Sequence, residues 1–176
     1  MTDPDPSPPD TKDWTWVLGA PCPACGFDAA AVAAPQVATL VEDSATRLAG
    51  ALARPDAARR PAPQVWSALE YGCHVRDVCR MMDRRLRLML TDDNPEFANW
   101  DQDRTAVEDR YWSQDPAVVA AELLVAAADA ATTLRGVAGD EWSRPGRRSN
   151  GSVFTVDSLA RYFAHDVVHH AADVGA

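Results

Sequence analysis

VWSALEYGCHVRDVCRMMDRRLRLML, residues 65–90, reads as one long amphipathic helix, and that reading decides the fold class. Gly72 lies inside it at a cost of about 1 kcal/mol relative to alanine, so close packing or a ligand is expected to favour it there. Upstream, Val37, Leu40, Val41, Leu48 and Leu52 recur at three- and four-residue steps, which predicts a helix over 36–53. The prolines of RPDAARRPAPQ separate the two helices. Downstream, Asp115 and Pro116 form an N-cap and first helical position for a third long helix that Gly136 or Gly139 would close. Thr155 is the expected N-cap of a fourth, running to about residue 174. Between the second and third lies a long polar connection with aromatic anchors and room for a short helix. No segment alternates with the period of a strand, so the expected architecture is an all-α bundle.

The remaining organisation follows from composition. Residues 1–13 are proline- and aspartate-rich and are expected to be a disordered tail. Residues 14–34 hold aromatic residues, breakers and a CxxC, so an irregular segment is expected before a bundle of 35–176. The net charge of −9 argues against nucleic acid as a partner, because phosphate neutralisation needs a basic face. Charged residues interrupt every apolar run, so no membrane span is expected. The acidic start offers no signal peptide, and a cytoplasmic location is expected. In that compartment the four cysteines are expected to be thiols, metal ligands or core residues.

Three of the four histidines fall in HDVVHH, residues 165–170. On a helix, His165 and His169 project from one face about 5–6 Å apart at Cβ, close enough to share a cation. His170 is rotated by roughly 100° and is left as a solvent, interface or outer-sphere residue. Asp166 is expected to point away from the site. His74, in the middle of the second helix, can converge with the His165–His169 pair inside a bundle. Three histidines and an open position are the donor set of a catalytic zinc ion, and nickel or iron would accept it too. The bland alternative is a chance HxxxH and a hydrogen-bonded core histidine.

The segments SALEYGCHVRDV (67–78) and SLARYFAHDVVHHAADV (158–174) together resemble the DinB superfamily. The resemblance implies an up-down-down-up four-helix bundle, often dimeric, with a divalent metal on His74, His165 and His169. It further implies thiol-dependent chemistry, with mycothiol as the cosubstrate in an arginine- and alanine-rich chain whose single lysine is Lys12. The expected function is therefore a metal-dependent thiol S-transferase, in which a metal-bound thiolate attacks an electrophilic small molecule. The competing readings are a thiol-dependent isomerase, a non-catalytic metal- or ligand-binding bundle, and a metal-free bundle acting through its dimer surface.

Around that site, Glu70 and Asp77 lie one turn either side of His74 and could orient its imidazole, or instead pair with arginines such as Arg80 and Arg84. Tyr162 could line the pocket or remain a half-buried core residue. Arg104, Arg147, Arg148 and Asn150 are the polar groups expected to meet a cosubstrate. Cys22 and Cys25, in CPACG, are open to a redox pair, a structural turn, or a mixed site with an ion held elsewhere.

Overall fold

A computed structural model describes residues 12–176. Most of the expected tail, residues 1–11, lies outside the described residues. Four long helices form the bundle: α1 (Val37–Leu52), α2 (Ala68–Thr91), α4 (Pro116–Gly136) and α5 (Val156–Asp173), with a short α3 (Gln102–Glu108) in the long connection. Each start has a chemical cause. Ser67 and Glu70 cap α2 reciprocally, Asp115 Oδ1 accepts from the Ala117 and Val118 amides, and Thr155 exchanges hydrogen bonds with Ser158. Such caps are each worth about 1 kcal/mol.

Helix α4 packs against both α1 and α2, and α5 closes the ring by packing against the same two. The order around the bundle is thus α1–α4–α2–α5, and the arrangement is up-down-down-up. Its core joins Leu48, Met82, Leu86, Leu123, Leu134, Leu159 and Phe163, all buried. Gly72 is explained by packing: a Cβ there would come within 2.8 Å of Leu52 Cδ1. No membrane-length apolar run was expected, yet α4 is long and apolar enough to span a bilayer. Alanines, valines and leucines keep the mean hydropathy of Pro116–Gly136 high despite its isolated charges, and its buried face is occupied by α1 and α2.

No strands were expected, but a small three-stranded sheet is present. Strand β1 (Glu96–Phe97) runs parallel to β2 (Pro145–Arg148), which is antiparallel to β3 (Val153–Thr155). Strands of two to four residues are too short to carry a period-2 pattern. This sheet ties the two long connections together at one end of the bundle and sets Arg148 beside the Phe154 and Tyr162 rings.

Before α1 the chain makes three short 3₁₀ turns, Trp14–Leu18, Ala29–Ala31 and Ala34–Gln36. Asp13 caps the first by accepting from the Thr15 amide at 3.0 Å. This strap lies against α5: Arg161 donates to the Ala29 carbonyl at 2.6 Å, and Val17 and Cys22 are buried beneath it.

Candidate metal centres

Helix α5 carries two i,i+4 pairs, offset by one residue, and they face different neighbours. His165 and His169 face the N-terminal strap, where their ligand atoms and those of Cys22 and Cys25 lie within 4.8 Å of one another. Asp166 and His170 face α2, where they form an equally tight group with His74. The expected grouping of His74 with His165 and His169 is thereby divided between two neighbouring clusters. Two expectations are corrected outright: Asp166 points toward His74, and His170 sits with its ring centroid 4.8 Å from that of His74. The cause is the 100° step of the helix, which turns a one-residue offset into a different face.

In the second cluster, His74 Nε2 and Asp166 Oδ1 are 3.5 Å apart, and His170 Nε2 lies 3.8 Å from the same oxygen. His74 is fully buried. Both of its ring nitrogens, and Asp166 Oδ1, lack any hydrogen-bond partner. Burying such groups without a partner costs a few kcal/mol each, so the arrangement fits a bound cation that supplies the missing contact. His170 Nδ1 lies 2.8 Å from Asp173 Oδ2, which orients the ring and leaves Nε2 facing the cluster. Trp100 stacks on the His74 ring at 5.4 Å, with Trp66 on another side at 5.5 Å.

Charge states suit ligation. Burial pulls the His74 pKa below the usual imidazole value, although Asp166 opposes it, so the ring is neutral and keeps a lone pair. For Asp166 burial pushes upward, but His74 and His170 outweigh it and the carboxyl stays ionised. The His74 and His170 imidazoles and the Asp166 carboxylate would leave open positions on a divalent ion.

Beside these clusters lies a narrow cavity of about 60 Å³, lined by Trp14, Gln102, Tyr162 and the four α5 residues of the two groups. Sharing its Trp14, Gln102 and Tyr162 wall is an open polar cleft of about 550 Å³, which also carries Trp100, Arg148 and Asn150. Arg148 and Asn150 thus line the cleft, and Tyr162 lines both spaces. Arg104 is instead exposed and bound to Glu108 at 2.7 Å, and Arg147 is exposed on β2 outside the cleft lining. Glu70 is held by Arg60 and the Ser67 cap, and Asp77 by Arg76, Arg80 and Tyr111, so neither orients His74. Cys22 and Cys25 are free thiols.

A family model for the DinB superfamily matches residues 38–174, which include all of α1 through α5 except Val37. The chain belongs to the DinB superfamily. Among solved structures, YfiT from Bacillus subtilis is similar, with a TM-score of 0.71 at 18% identity over 80% of this chain and 83% of that one. It is described as a probable metal-dependent hydrolase with an unusual four-helix bundle topology, and the likeness supports the same fold here. No curated protein sequence matches the chain. The strap that carries Trp14, Cys22 and Cys25 lies outside the residues matched by the family model.

Asp166 and His170 were expected outside the metal-binding face, and Trp14, Trp100 and Gln102 carry no pattern that marks them as site residues. The signal for the first two was present: DVVHH contains an Asp166-x-x-x-His170 pair with the same spacing as HxxxH.

Proposed function

We propose that this DinB protein is a zinc-dependent thiol S-transferase using mycothiol, with the ion on His74, Asp166 and His170. What carries the metal assignment is the set of orphaned, buried donor atoms on His74 and Asp166, facing one another beside a polar cleft. The same cation would lower the pKa of a thiol placed against it, making a thiolate nucleophile at neutral pH.

The chain's own residues do the rest. Asp173 holds the His170 ring, and Trp100 and Trp66 hold that of His74. Tyr162 keeps its proton, because burial raises its pKa, so its hydroxyl can donate to a developing negative charge in the cavity. Arg148 and Asn150 offer donors to the carboxylate and sugar groups of the cosubstrate. Trp14 walls the cavity and limits water at the reacting atoms.

A second reading is hydrolysis, favoured by the likeness to YfiT: the same donors would activate water instead of a thiol. Zinc-loaded protein incubated with a chlorinated aryl acceptor and with an ester, each with and without mycothiol, separates them. A conjugate formed only with the thiol supports S-transfer. Thiol-independent cleavage of the ester replaces it with hydrolysis, and no turnover under either condition leaves a non-catalytic metal-binding bundle.

A further inference from the structure

The four groups on the other face of α5 are the two thiols of CPACG and the two imidazoles of HxxxH, and the activity proposed above uses none of them. Cys22 Sγ lies 3.6 Å from His169 Nδ1. A tetrahedral ion with bonds of about 2.3 Å to sulfur and about 2.0–2.1 Å to nitrogen puts neighbouring S and N ligands about 3.6 Å apart. The other ligand atoms fall inside the same 4.8 Å envelope. Cys22 is buried, His165 is buried, and His165 Nε2 has no hydrogen-bond partner.

The local backbone is shaped for the purpose. The Gly26 amide donates to the Cys22 carbonyl at 2.8 Å, and the Cys22 amide to the Phe27 carbonyl at 2.8 Å. This folds the CxxC into a tight knuckle with both sulfurs on one side. Gly26 has φ of 75°, a left-handed turn that glycine adopts without strain. Trp14 and Phe27 cover the imidazoles, with ring centroids 5.6 and 5.7 Å from His165. The spacing C-x₂-C with H-x₃-H is that of a closed Cys₂His₂ zinc site.

We propose that Cys22, Cys25, His165 and His169 bind a second, structural zinc ion that clamps the N-terminal strap onto α5. Two thiols give up their protons to solvent on binding, so the two thiolates neutralise the ion and four protein ligands close its coordination shell. No position is left for substrate. The clamp has a consequence for the neighbouring centre: it fixes Trp14, which walls both the cavity and the cleft.

Zinc content of the full-length protein, purified under reducing conditions and with excess zinc removed by gel filtration, tests the site. The wild type is expected to hold two ions per chain, the Cys22→Ser/Cys25→Ser variant one, and His74→Ala one. Cobalt loaded into His74→Ala is expected to show a thiolate-to-cobalt charge-transfer band that the double-serine variant lacks. If the serine variant does not fold, titrating wild-type thiols with a mercurial serves instead and is expected to release one zinc. Zinc content unchanged by the serine substitutions, complete loss of zinc in His74→Ala, or a Cys22–Cys25 disulfide in the reduced preparation would each overturn the proposal. Loss of only the His74-dependent ion, by contrast, bears on the transferase reading alone.

Discussion

Three polar side chains follow one another along α2 at Glu70, His74 and Asp77, and their surroundings differ sharply. Glu70 accepts from the Ser67 backbone and hydroxyl and from Arg60, while Asp77 accepts from Arg76, Arg80 and the Tyr111 hydroxyl at 2.6 Å. His74 between them has no hydrogen bond at either nitrogen. All three lie in the interior or near it, so burial alone does not separate them. Satisfaction does: the outer two are tied into the fold by hydrogen bonds, whereas the middle one keeps both nitrogens for the ion proposed above.

The largest expected effect comes from removing that middle group. His74→Ala is expected to lose the ion of its centre and at least about 100-fold in turnover, read by zinc content and a thiol-conjugation assay, while circular dichroism stays native. Native metal content and activity in that variant would erase the distinction.

Asp77→Ala should behave in the opposite sense. It strips partners from buried Arg76 and from Tyr111, and is expected to cost on the order of 3 kcal/mol in denaturant unfolding with zinc content unchanged.

His165 extends the comparison to α5. Burial first, and then His169, lowers its pKa from 6.5 to about 4. In chelator-treated protein the unfolded chain therefore protonates this histidine before the folded chain does. Stability contributed by the neutral ring is present above pH 6.5 and is lost as the pH falls toward 4, on the order of 3 kcal/mol in all. Urea titrations across that interval check it; a flat profile would mean that the ring is hydrated in the apo state.

The smallest effect is expected at Gly72, on the same helix as these groups. Gly72→Ala gains helix propensity but forces Leu52 to move, and a net loss of about 1 kcal/mol with unchanged metal content is expected. A loss of zinc there would tie Gly72 to the site rather than to packing.

Much of this was legible in the residues themselves. Asp115-Pro116, Thr155 and the periodicity of 37–52 located the helices because caps and apolar stripes are local. The meeting of His74 with the 165–170 segment was legible too. The partition between the two clusters was not, since it depends on which face of α5 meets α2 and which meets the strap, a tertiary fact one residue of offset is enough to reverse. Asp166 was expected to point away from the site for the same reason, because its neighbour His165 was taken to mark the face of α5 that meets His74. The pairing of CPACG with α5 spans almost the whole chain and has no local signature.

Anomalous diffraction at the zinc edge from crystals grown with zinc tests the central claim most directly. The expected result is a peak within about 2.0–2.2 Å of His74 Nε2, Asp166 Oδ1 and His170 Nε2. A peak held jointly by His74, His165 and His169, or no peak beside His74 at all, would contradict it.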